Sequence, residues 1–160
     1  MSRWLRASRV VAIMASLPSC GGGATTPTPT QATITVTLSP NPVTSTVCAP
    51  TPCQGTDGRL FQFRSQGTLT IQEGAGIGGT VDSITVTIVS STIVYASDVI
   101  VQRSGTALVP ARGMLIFPLN IFHVPLDTPN ASRQVVMPFV VQMTDDRGNH
   151  VTAVAQWSVN

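Results

Sequence analysis

Cys48 and Cys53 enclose Ala-Pro-Thr-Pro, and two thiols at that spacing can close a disulfide, share a metal or cycle between redox states. A metal would need further ligands, yet His123 and His150 are remote in sequence and the spacing fits no zinc pattern. A redox pair has two intervening residues rather than four, with helix support. In an oxidising compartment the pair reads as a local disulfide pinning a surface loop, with a chain-entropy gain of about 2 kcal/mol for so small a ring.

Other reactive residue types are sparse. Nucleophilic catalysis needs a serine or cysteine, a histidine base and an orienting acid, and no nucleophile-elbow motif is present. His123 lies in an apolar strand pattern and His150 just beyond a turn. Gly74–Gly79 looks superficially like a phosphate-binding loop, but it leads toward a strand and the chain has no lysine, so a loop between strands is expected.

Asp145, Asp146 and Asn149 offer oxygens for calcium if Glu73 or Asp82 converges on them; otherwise they are turn formers. Met114, Met137 and Met143 with the histidines raise copper, although methionines spaced among valines ordinarily fill cores. Neither ion is expected, and no cofactor is.

The first segment of the chain decides where this chemistry is set. Arg3, Arg6 and Arg9 precede the short apolar run Val10–Leu17, followed by Pro18, Ser19 and Cys20. Positive charge holds such a start in the cytoplasm while the apolar run enters the translocon, which predicts a signal peptide over 1–19. Leu17-Pro18-Ser19-Cys20 resembles the lipobox of bacterial lipoproteins, with proline replacing the usual small residue at the second position before the cut.

That resemblance implies a diacylglyceryl group on the Cys20 thiol, an acylated amino terminus (palmitate-type chains), and a protein held on the outer membrane or cell surface. The alternative is an ordinary signal peptide with an incidental cysteine. Residues 21–31 have no charge and no large apolar side chain, so 20–32 is expected to be the lipidated cysteine and a flexible linker. Several acyl chains hold a bilayer durably where one does so only marginally.

Charge supports this division. All nine basic residues are arginine; three belong to the signal, leaving six against seven acids, so the mature chain stands near −1. Nucleic acid is therefore not an expected partner. At 160 residues, with 10% charged and many β-branched residues, the chain accommodates one folded domain, assigned to 33–160. Asn130-Ala-Ser132 matches a glycosylation acceptor that bacteria normally leave unread.

Over 33–160 the apolar residues alternate. Thr33–Ser39, Leu60–Arg64, Thr68–Gln72 and Ser83–Val89 read as strands, with further strands at Thr92–Tyr95, Val99–Gln102, Met114–Phe122, Val135–Met143 and Val151–Val159. Thr144–Asn149 has the composition of a tight hairpin. Pro138 predicts an edge strand or a bulge. No helical period stands out, and repeated strands joined by Pro, Gly, Asn and Asp turns point to an all-β sandwich.

The Ser39–Val43 segment, Leu69–Gly78 and the Asp145–Asn149 hairpin, in this order, resemble the immunoglobulin-like domains of bacterial surface lipoproteins. The resemblance covers about 128 residues and implies an immunoglobulin-like antiparallel β-sandwich without enzymatic activity, serving as a spacer or binding a protein or glycan. Binding would use end loops, with Arg103, Arg112 or exposed aromatics as anchors. The competing expectation is an envelope enzyme or a calcium- or copper-binding protein using His123 or His150.

Overall fold

The computed structural model describes residues 28–55, 57–89, 91–127 and 133–160. The predicted signal peptide, Cys20, linker residues 21–27 and the Asn130–Ser132 acceptor lie outside them. The elements are β1 (Ile34–Ser39), β2 (Thr46–Val47), β3 (Cys53–Gln54), β4 (Leu60–Glu73), β5 (Gly79–Ile88), β6 (Ser91–Ala96), α1 (Ser97–Ser104), β7 (Leu108–Val109), β8 (Met114–Pro125), β9 (Val135–Asp145) and β10 (His150–Val159). No helix among the described residues is long and apolar enough to cross a membrane.

The strands make two five-stranded sheets around one core. In the first, β4 is central, with β8 on one edge and β1, β2 and β3 sharing the other. The second runs β10-β9-β5-β6, with β7 beside the start of β5. Strand pairing is antiparallel throughout both sheets. Alternation places Leu69, Ile71, Phe117 and Ile121 inward from one sheet and Phe139, Val141, Met143 and Trp157 inward from the other. A register shift between Val81 and Ser83 lets Val81 and Ile84 both face the core, because a bulge breaks the two-residue period.

Between β1 and β2 the chain changes sheets. Asn41 sends its side-chain amide to β10, donating to Gln156 O at 2.8 Å and accepting from Ser158 N at 3.0 Å. Val43 then forms a parallel bridge with Val159, through Val43 N to Ser158 O and Asn160 N to Val43 O, each 2.9 Å. Trp157 donates its indole N–H to Pro40 O at 2.6 Å and lies under Gly67, where a Cβ would meet its ring at 2.7 Å and Ser39 O at 2.6 Å. Only glycine lets the two sheets approach this closely there.

Three sequence expectations are corrected. Leu60–Arg64 and Thr68–Gln72 belong to one continuous strand, because Ser65 turns inward and Gly67 makes room for Trp157. Val99–Gln102 is not a strand but part of α1. That helix has Asp98 in its first turn, Arg103 in its last and Gly105 at φ 79° as its C-cap, charges and cap that all favour a helix. With only Ile100 buried over eight residues, no helical period could register. Pro138 sits in the inner strand β9, not on an edge; pairing with β5 ends at Val86–Phe139, one residue before it.

Candidate functional site

The polar residues buried by this fold gather in two clusters along β4. At one end Glu73, the last residue of β4, is 1% exposed and accepts four main-chain N–H groups. These come from Thr33 (3.2 Å), Ala75 (2.6 Å), Gly76 (2.8 Å) and Arg112 (2.9 Å). Burial pushes its carboxyl up, but those amides outweigh burial and hold it below the usual range.

Asp145, at the end of β9, is 3% exposed and plays the same part in the hairpin. It accepts from Ala32 N (3.0 Å), Arg147 N (2.9 Å) and Asn149 N (2.8 Å), and from Asn149 Nδ2 at 3.0 and 3.2 Å. Burial again raises the carboxyl, and the Asn149 side chain with the amides of Ala32, Asn149 and Arg147 brings it down to about 2.

Together the two carboxylates grip consecutive residues, Ala32 and Thr33, where the chain enters the domain. Arg147 Nη1 to Pro29 O (2.6 Å) and Asn149 Nδ2 to Thr30 O (3.2 Å) extend the grip outward. Pro29, Thr30 and Ala32, assigned to the linker by composition, thus dock on the hairpin, and Ala32 is buried in the core.

This geometry answers the calcium expectation. Asp145 and Asn149 meet, but Asn149 presents donors, and the Asp145 oxygens face N–H groups rather than a shared cavity. Asp82 is engaged elsewhere, accepting from Thr144 Oγ1 at 2.8 Å.

The second cluster lies eight residues back along β4, about 27 Å at ~3.4 Å per residue. Ser65 and His123 are 0% and 1% exposed, with Oγ and Nε2 3.1 Å apart; His123 Nδ1 has no hydrogen-bond partner among the described residues. The Phe63 ring stacks on the His123 ring (5.8 Å between centroids), and the Arg133 guanidinium lies over Phe63 at 5.3 Å. Arg133 also donates through Nε to Ser45 Oγ at 2.7 Å and through Nη2 to Ser45 O. Burial, then the Arg133 charge, lowers His123 to about 4. The hydroxyl and the base are sealed from substrate, and the charged neighbour is a cation, the reverse of an orienting acid.

His150 joins a different chain on the outer face, with Nδ1 3.1 Å from Thr144 Oγ1, which in turn donates to Asp82. The hydroxyl occupies the middle position that imidazole holds in a catalytic triad, so its proton goes to the acid and not to the base. The methionines do not assemble round either histidine as one group: Met137 and Met143 are core residues of β9, and Met114 is exposed at the start of β8.

Cys48 and Cys53 form the expected disulfide, Cα atoms 5.4 Å apart, joining the chain after β2 to the start of β3. Of the expected binding anchors, Arg103 stacks over Tyr95 (4.9 Å) and Phe117 (5.9 Å). Arg112 lies against Gly76. No aromatic side chain among the described residues is exposed. Ser65, Ser45, Arg133 and the amide-binding role of Glu73 were missed by sequence reasoning; for Glu73 the signal was a carboxylate leading directly into a glycine-rich loop.

No family model matches the chain, and no curated protein does. Among solved structures, Northeast Structural Genomics Consortium target SoR45 is similar at 17% identity and a TM-score of 0.47, over 78% of this chain and 84% of that one. The alkylpurine DNA glycosylase AlkC of Pseudomonas fluorescens, bound to DNA containing an abasic site analog, aligns at 12% identity and 0.35, over 78% of this chain and 30% of that one. Likenesses at these scores carry no argument about function.

Proposed function

We propose that the chain is an envelope lipoprotein anchored through Cys20, carrying an immunoglobulin-like β-sandwich that works as a non-enzymatic structural or binding module for a protein or glycan. The observation that carries the reading is the grip of Asp145 and Glu73 on Ala32 and Thr33. It fixes the junction between a linker and a domain at one end of the sheets, as a tethered module requires. The same carboxylates were the candidates for metal chemistry, and they are engaged by main-chain amides.

Support for the immunoglobulin-like reading comes from the sheet orders and from the passage of residues 41–45 across to β10 between two strands of the first sheet. The test is fractionation of cells expressing the full chain. The wild type is expected in the membrane fraction and Cys20→Ala outside it; a Cys20→Ala protein that stays with the membrane contradicts the anchor.

A further inference from the structure

Pro29, Thr30, Ala32 and Thr33 are all bound at one end of the sandwich, by Arg147, Asn149, Asp145 and Glu73. That end holds the β9–β10 hairpin, the start of β5 and the last residue of β4. The opposite end holds the start of β4, where Leu126 N donates to Leu60 O at 3.0 Å, and the Cys48–Cys53 disulfide. Val89, just past the end of β5, lies on that side as well.

The distance between the two ends exceeds what the chain before Pro29 can span. From Leu60 to Glu73, β4 runs thirteen residue steps, about 42–44 Å at ~3.2–3.4 Å each. From Cys20 to Pro29 there are nine steps, which reach about 32 Å at most at ~3.6 Å each. Were the chain unbound as far as Thr33, thirteen steps would reach about 47 Å, enough to match β4. The hydrogen bonds to Pro29 and Thr30 remove the part of that reach which would let the domain turn over.

We propose that the bilayer holding Cys20 faces the β9–β10 hairpin end of the sandwich, and that the disulfide end is turned away from it. This rests on the lipid anchor proposed above. An inverted domain, with Leu60 at the bilayer, would lift Pro29 about 40 Å from the surface, beyond its reach from Cys20. The orientation decides which end loops a ligand meets. They are those around Cys48, Cys53 and Leu60, while Arg112, whose main-chain N–H binds Glu73, falls on the bilayer side.

Two labelled variants of the full, lipidated chain test this in phosphatidylcholine vesicles whose headgroups carry a quencher. Asp146→Cys places a fluorophore on the exposed part of the hairpin, and Val89→Cys places one at the opposite end, where the side chain is 83% exposed. Ten steps of β5, about 33 Å, separate Val89 from the hairpin, so quenching should be at least roughly twofold stronger at position 146. Inserting about twenty Gly and Ser residues after Ala24 should bring the two close to equal, because the reach then exceeds β4. Failure of both variants to sediment with the vesicles overturns the anchor and the orientation together. Co-sedimentation with equal or reversed quenching in the chain of natural length overturns the orientation alone. A difference that survives the insertion overturns the short reach as its cause.

Discussion

The Asp145 carboxylate accepts the amide proton of Ala32 at 3.0 Å, a bond that spans 113 positions of the chain. It ties the segment leading into β1 to the last hairpin, and Glu73 repeats the arrangement one residue later through Thr33. A buried acid carrying several N–H donors is low in energy only while charged and fully engaged. The entry of the chain into the sheets at Ala32 and Thr33 therefore depends on two ionised carboxylates.

Replacing Asp145 by alanine orphans the amides of Ala32, Arg147 and Asn149 together. The expected result is a fall in Tm of roughly 10 °C, with faster amide exchange at those three positions and little change at β8. Asp146→Asn, in the same hairpin, is the control and should leave the exchange pattern intact.

Acid should lower the stability of the domain over two pH ranges. His123 titrates at about 4 in the fold against 6.5 in a free chain, so the unfolded chain binds its proton first. Stability is full above 6.5 and falls as the pH drops toward 4. Asp145, held at about 2 against an ordinary 3.8, adds stability above 3.8 that is lost as the pH falls toward 2. Thermal melts across this range should show both losses; His123→Gln should flatten the first and leave the second.

Gly67→Ala places a methyl 2.7 Å from the Trp157 ring and 2.6 Å from Ser39 O. Backbone cannot yield as a flexible side chain would, so a loss of about 1–3 kcal/mol is expected in urea titrations followed by Trp157 fluorescence. The emission maximum should move to the red as the two sheets part.

Cys48→Ser with Cys53→Ser removes a link of sequence separation 5, whose loss should cost about 2 kcal/mol or less because so small a ring confines the unfolded chain little. Exchange should quicken in β2 and β3 and remain unchanged at the Asp145 hairpin.

Much of the fold was legible in the sequence because apolar alternation over six or more residues has few other readings: β1, β5, β9 and β10 were read within a few residues of their bounds. The disulfide was legible from compartment and spacing. What alternation could not show was every contact made at long range. Ser65 interrupts an otherwise apolar face and looks like a strand boundary until His123, 58 positions away, is set beside it. Asp145 and Glu73 look like turn or metal residues until Ala32 and Thr33 arrive from the start of the domain. Helix α1 is too short for its period to rise above its neighbours.

The account as a whole rests on the anchor. Intact-mass analysis of the full chain recovered from membranes, with sequencing of its first peptide, tests it most directly. A mature protein beginning at Cys20, with the added mass of a diacylglyceryl group and an amide-linked acyl chain, is the predicted result. A protein whose chain begins elsewhere, or whose Cys20 carries no lipid, contradicts it.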